Sequence, residues 1–209
     1  MNTVLVTGGT TRLGLGIAAR LREEGWLVLT SSHRADAGAD IVADLSEPMG
    51  AAKLYAAACA RLGNNPPDAL VNNAALFTGD EHALETVNLV APQKLTTLMA
   101  CRETGMGSVV NIIDCRVLGD AMPNEGAYAR TKRRLLDYTR TSAAMFCETL
   151  RVNAVAPGPV MPPVGVHEMA GSTPLGRPTS EDVAEAVAFL LRAKRTSGCV
   201  IPVDGGQSL

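Results

Sequence analysis

An excess of charge of either sign is missing from this chain. Nineteen Lys and Arg face twenty-one Asp and Glu over 209 residues, the net charge is −2, and the basic residues are scattered. A nucleic acid or an anionic membrane would call for a basic patch, so neither is an expected partner, and a small molecule is. Cysteine is sparse: Cys59, Cys101, Cys115, Cys147 and Cys199 are odd in number and form no CxxC pair. This pattern fits reduced thiols better than a disulfide frame or a zinc site. The three histidines, His33, His82 and His167, do not cluster, so no metal is expected. No apolar run approaches the roughly 18 residues that cross a bilayer. The opening MNTVLVTGG is too short and too soon broken by glycine to be a secretory h-region. A cytoplasmic location is the expectation. Aromatic residues are few as well, with only three phenylalanines, which gives weight to where each one falls.

What is present is an alternation of short β-branched runs with longer helical patterns, the mark of βαβ units and a parallel sheet. TVLVT, WLVLT, ADIVADL, DALVNNA, SVVNIID, LRVNAVAPGP and CVIPVDGG are the expected strands. Helices are expected over residues 13–25, 47–62, 81–102, 125–148 and 180–193, with Ser180 as the cap of the last and Val183, Val187 and Leu190 turned inward. The fold class is therefore α/β, a Rossmann-like doubly wound sheet of seven mostly parallel strands with helices on both faces, in a single domain over residues 1–209. Ligands of such sheets bind beyond the carboxyl ends of the strands, where strand order reverses. Gly8, Ser32, Asn72, Asp114 and Pro157 all fall at strand ends.

The first strand runs into Gly8, Gly9, Thr10, Thr11, Arg12, Leu13 and Gly14. Glycines there permit a tight turn, and the following helix aims its N–H groups at a pyrophosphate. The second strand ends in Ser32, His33 and Arg34, where an NAD site would carry an acid for the ribose hydroxyl. An arginine beside small hydroxyl side chains suits a 2′-phosphate instead, with Arg12 as a second cation, so NADPH is the expected cofactor. Asp44 can accept from an adenine amino group or cap the next helix. Tyr128 and Lys132, four apart in AYARTK, share a helix face. A tyrosine ionises near pH 10 and a neighbouring ammonium favours its phenolate, so the pair is a candidate proton donor and acceptor. Asp114 ends the strand just before them.

These motifs together resemble the short-chain dehydrogenase/reductase family over essentially the whole chain. TGxxxRLG, the ADL after the third strand, NNA at Asn72 to Ala74, VNLVAP with Asn88, YxxxK, VNAVAPG and the terminal VDGG occur in the family's order. The resemblance implies that Tyr128 donates the proton and that Lys132 binds the nicotinamide ribose and lowers the tyrosine pKa. It implies that Asn88 holds a water in the proton relay. Gly8, Thr10, Arg12, Leu13, Gly14, Ser32, His33, Arg34, Asp44, Leu45, Asn72, Ala74, Pro157 and Gly158 would line the dinucleotide, Asn72 and Ala74 through backbone groups. The family usually places a serine where Asp114 stands, and a carboxyl can hold a proton as well as orient a carbonyl.

Pteridine and dihydromonapterin reductases are similar in having an aspartate there, an arginine in the glycine loop and an HR pair after the second strand. They also carry an aromatic near the position of Phe77, which makes Phe77, Asp114 and Tyr128 the candidate substrate residues. The implied reaction is NADPH-dependent reduction of a dihydropterin, with Tyr128, Lys132 and Asp114 supplying the proton. The carboxylate can deliver it, orient the pterin amino group, or sharpen the acidity of Tyr128. A 3-oxoacyl or ketone reductase is the alternative, and a catalytically silent dinucleotide-binding protein is a third. Enoyl reduction fits less well, because resembling enzymes separate tyrosine and lysine more widely. The segments after Phe77 and from Pro159 to Thr173, where the family carries substrate-covering loops, are short. A homo-oligomer, dimer or tetramer, is implied through the helices near residues 81–102 and 125–149, where Leu95, Leu98 and Met99 serve either a partner or the core.

Overall fold

The computed structural model describes residues 1–103, 105–120, 125–161 and 173–209. Much of the short segment expected after Pro159, with His167, lies outside the described residues. Seven strands form one sheet in the order β3-β2-β1-β4-β5-β6-β7, and every pair is parallel. They are β1 (Thr3–Thr7), β2 (Leu27–Ser32), β3 (Ile41–Val42), β4 (Ala69–Asn72), β5 (Gly107–Ile112), β6 (Leu150–Pro157) and β7 (Val200–Val203). The chain moves outward from β1 to β3 and then returns to β4 on the other side of β1. Strand order therefore reverses between β1 and β4, and a crevice opens beyond their carboxyl ends.

Helices cover both faces, as a parallel sheet requires. Alternation along β1 sends Val4 and Val6 to one layer, where α1 (Arg12–Glu23) and α6 (Ser180–Arg192) bring Ile17, Leu21, Val183 and Val187. Leu5 faces the other layer and meets Leu54 of α2 (Gly50–Arg61) with Leu95 and Met99 of α4 (Ala91–Ala100). Leu95 and Met99 are thus core residues, each worth about 1.5–3 kcal/mol of burial, and Leu98 is only half-buried. A third cluster joins Leu135 and Leu136 of α5 (Ala127–Met145) to Ile113 and Ala154.

Local chemistry sets the boundaries that differ from expectation. The third strand shrinks to two residues because Asp40 turns its carboxylate to the N–H and hydroxyl of Thr30, at 2.8 and 2.7 Å. Asp44 then bends the chain over Ser46. The cap of α6 is Thr179, not Ser180: its hydroxyl accepts from the Asp182 N–H while Asp182 accepts from the Thr179 N–H, a reciprocal capping box. The helix expected over residues 81–102 is divided into α3 (Glu81–Glu85), a π turn at Thr86–Val90 and α4. Pro92 has no N–H, so the ordinary helical bond to the Asn88 carbonyl cannot form, and the ladder shifts register there. Among the described residues, no helix is long and apolar enough to cross a membrane.

Candidate active site

At the reversal point the sequence stitches two strand ends together. Thr7 Oγ1 accepts the N–H groups of Asn73 and Ala74, both at 3.0 Å, while Asn73 Nδ2 donates to the Thr7 and Gly8 carbonyls at 2.9 and 3.2 Å. Gly8 takes the left-handed region at φ 63°, and a Cβ on Gly14 would collide with the Gly8 carbonyl, so the loop closes only with glycine at both places. Helix α1 then begins with no side-chain cap from Thr11 and no acid in its first turn. Its positive end and its first N–H groups are accordingly suited to an anion. Arg12 also adopts a left-handed backbone, at φ 51°. It flanks this end of the loop together with half-buried Thr10 and Leu13.

The other expected dinucleotide residues distribute along the same crest. Ser32, His33 and Arg34 follow β2, with His33 and Arg34 exposed. The Arg34 guanidinium is not open: Nε and an NH2 donate to the two carboxylate oxygens of Asp36 at 3.0 and 2.7 Å. Asp44 is exposed, whereas the Leu45 side chain lies in the core and leaves only its backbone for a ligand. The buried Asn72 side chain donates to Asn111, which donates on to Thr139, so Asn72 likewise faces the crevice only through its backbone. After Pro157, the Gly158 N–H donates to Val203 at 2.9 Å, and a Cβ there would stand 2.6 Å from the Asp204 Cα.

Tyr128 and Lys132 occupy the first turns of α5, behind the end of β5. Lys132 is 2% exposed and its Nζ donates to the Ile112 carbonyl at 2.8 Å. Burial pushes its pKa down to about 8, against an upward pull from Asp114. Nζ stands 5.8 Å from the Tyr128 ring centre. Tyr128 departs from expectation: burial first, then the Asp114 charge, raise its pKa above the ordinary value, with Arg116 opposing. Its resting form is therefore the neutral phenol, a proton donor. Asp114 lowers the acidity of Tyr128 instead of sharpening it.

Asn88 is fully buried in the π turn. Its carboxamide exchanges two hydrogen bonds with the backbone of Leu76, both 2.8 Å, and donates to Thr131 Oγ1 at 3.2 Å. It ties the segment bearing Phe77 to α5, while Pro92 withholds the N–H that a regular helix would bring to the Asn88 carbonyl. Phe77 reaches Tyr128 with ring centres 4.9 Å apart and remains half-exposed.

Three residues of the site escape the sequence reading. Arg116 grips both oxygens of Asp114, at 3.0 and 2.8 Å, and sits over the Phe77 and Tyr128 rings. Arg133 donates to the carbonyls of Val117, Gly119 and Asp120 and pairs with Glu125 at 2.6 Å, fastening these residues to α5. Asn73 locks the glycine loop. The signal for Arg116 was its spacing of two from Asp114, the same spacing that pairs Arg34 with Asp36.

A family model described as Enoyl-(Acyl carrier protein) reductase matches residues 10–208. The chain belongs to the short-chain dehydrogenase/reductase family. It is 30% identical to the levodione reductase of Leifsonia aquatica, over 98% of this chain and 93% of that protein. Among solved structures it is similar to FolM alternative dihydrofolate reductase 1 from Brucella suis in complex with NADP, at 31% identity and a TM-score of 0.83, covering 99% of this chain and 95% of that one. It is also similar to a 3-ketoacyl-(acyl-carrier-protein) reductase from Brucella melitensis complexed with NADH, at 25% identity and a TM-score of 0.86, covering 100% and 98%.

Proposed function

We propose that this member of the family is an NADPH-dependent reductase of a dihydropterin ring. The observation that carries the reading is a carboxylate, Asp114, beside a neutral Tyr128 phenol and a half-exposed aromatic ring, Phe77. A dihydropterin presents an amino group and ring N–H groups for a carboxylate to accept, a flat face for an aromatic neighbour, and a C=N bond to reduce. The glycine loop, the uncapped and acid-free start of α1 and the Ser32, His33, Arg34 corner fit a dinucleotide phosphate set. The dinucleotide supplies the hydride when bound. Tyr128 gives its proton to the ring nitrogen next to the carbon that accepts the hydride. Lys132 keeps positive charge against the forming phenolate, and water on the Asn88 carbonyl restores the proton. Asp114 orients the ring: with both oxygens held by Arg116 it serves as an acceptor. The similarity to FolM alternative dihydrofolate reductase supports the reading.

Purified protein with NADPH is expected to reduce dihydrobiopterin or dihydrofolate faster than simple ketones. The reading is lost if dihydropterins are inert while a ketone turns over well.

One observation favours a ketone reductase instead. With Asp114 occupied by Arg116, Tyr128 and Lys132 alone complete a carbonyl-reducing pair, and the similarity to a ketoacyl reductase agrees. Asp114→Ser separates the two: it removes dihydropterin reduction in the first case and preserves or improves ketone reduction in the second.

A further inference from the structure

Arg116 has no part in proton transfer, yet it stands over the centre of the site. Its guanidinium Cζ lies 5.8 Å from the Phe77 ring centre and 5.6 Å from that of Tyr128. Its pairing with Asp114 is asymmetric in exposure: the carboxylate side chain is 16% exposed and the arginine 52%. The guanidinium therefore covers the carboxylate from the solvent side. A guanidinium has five N–H donors in a planar fork, and Asp114 engages two of them. Next to it opens a cavity of about 300 Å³ lined by Cys115, Arg116, Gly119, Gln207, Ser208 and Leu209. Its lining side chains include one cation, Arg116, with the Cys115 thiol, the Gln207 amide and the Ser208 hydroxyl, and the terminal carboxylate belongs to the fully exposed Leu209. Asp114 takes the edge formed by Nε and Nη2, so a second carboxylate would meet the other edge, formed by Nη1 and Nη2.

We propose that Arg116 and this cavity form a subsite for a carboxylate carried by the substrate, so that rings with an acidic side chain are selected over neutral analogues. Arg116 then bridges two carboxylates, Asp114 on the protein and a second on the ligand, while the reducible ring lies against Phe77 and Tyr128. The proposal rests on the reductase reading of the Tyr128 site, but not on the ring being a pterin.

The test compares kcat/KM within two matched pairs, dihydrofolate against dihydrobiopterin and 5-oxohexanoate against its ethyl ester, for the wild type, Arg116→Gln and Arg116→Lys. The expected result is a preference for the acidic member that falls about tenfold or more in Arg116→Gln, is partly kept in Arg116→Lys and shrinks with added salt. An acidic-to-neutral ratio that Arg116→Gln leaves unchanged, even with both activities lowered, overturns the proposal, because a residue that merely positions Asp114 would lower both alike. If only the ketones react, the dihydropterin reading is lost and the ketone pair still decides Arg116. If none of the four reacts, calorimetric titration of p-aminobenzoylglutamate into the NADPH-loaded protein decides: binding weakened tenfold by Arg116→Gln supports the subsite, and equal or undetectable binding overturns it.

Discussion

Two carboxylate–guanidinium pairs with the same spacing in the chain stand at opposite ends of the crevice. Arg34 and Asp36 are joined through two short bonds on an exposed loop, with side chains 61% and 70% exposed. Asp114 and Arg116 make the same two bonds, but the carboxylate is 16% exposed, the guanidinium rests over two rings, and Arg133 fastens the residues that follow. An exposed pair is solvated when open and screened when closed, so it yields easily to a competing anion. A shielded pair resists opening, since parting it leaves a poorly hydrated charge. The same motif is thus a replaceable placeholder at one end and a fixed part of the wall at the other.

The strongest way to break the contrast is Asp114→Asn. It removes the acceptor from the slot and leaves Arg116 over the rings without its partner. We expect dihydropterin kcat/KM to fall by roughly 100-fold or more, measured in steady state. The Asp114 charge raises the pKa of both Tyr128 and Lys132, so both should titrate at lower pH in this variant. Ultraviolet titration against a Tyr128→Phe background isolates the phenol. An unmoved Tyr128 would mean that burial alone governs it.

Arg133 tests whether the shielded pair depends on its scaffold. Arg133→Met removes its hydrogen bonds to the carbonyls of Val117, Gly119 and Asp120 and to Glu125, and leaves the part-buried Val117 carbonyl and Glu125 carboxylate without these donors. The expected loss is about 2–3 kcal/mol in chemical denaturation, with a lower kcat. Loss of stability at unchanged kcat would show that the Asp114 geometry does not depend on this clasp.

The pH profile has a definite sign. In the proposed reaction Lys132 works as an ammonium, and its pKa is pushed down to about 8, whereas Tyr128 is pushed up and stays a phenol. kcat/KM should be flat below pH 7 and drop about tenfold per unit above 8. Stability moves the other way. Between about 8 and the ordinary lysine value of 10.5 the unfolded chain holds more protons than the folded one, so unfolding becomes harder as pH rises. Asp36→Asn should leave both profiles in place, which an exposed pair far from the proton path requires.

Most of the fold was legible in the sequence, and the candidate site was proposed from it, because both are written in short-range patterns. The short β-branched runs TVLVT and SVVNIID mark strands buried on both faces, and the glycine turn, YxxxK and Asp114 mark strand ends and one helix face. What stayed hidden was mostly partnership. Whether Arg34 meets a phosphate or Asp36, whether Asp114 is open or gripped by Arg116, and what Arg133 fastens all depend on side-chain reach within loops, for which periodicity carries no signal. The π turn lies between these cases. VNLVAP holds Asn88 and Pro92 four apart, and the missing proline N–H is enough to predict the displaced ladder once that spacing is noticed.

The smallest effect belongs to the exposed pair, and it decides whether that pair is a placeholder. In the free protein Asp36 occupies the two guanidinium donors that a 2′-phosphate would use. On the proposal that Arg34 takes the 2′-phosphate, binding NADPH requires it to exchange one anion for another, a cost that NADH, lacking the phosphate, avoids. Asp36→Asn removes the competitor and also the repulsion between a carboxylate and the phosphate. NADPH should bind roughly two- to fivefold more tightly, with NADH nearly unchanged, as an exposed ion pair permits. Calorimetry at low and high salt reads both. The gain should diminish with salt, and an equal change for the two dinucleotides would mean that Asp36 shapes the loop and does not compete for Arg34.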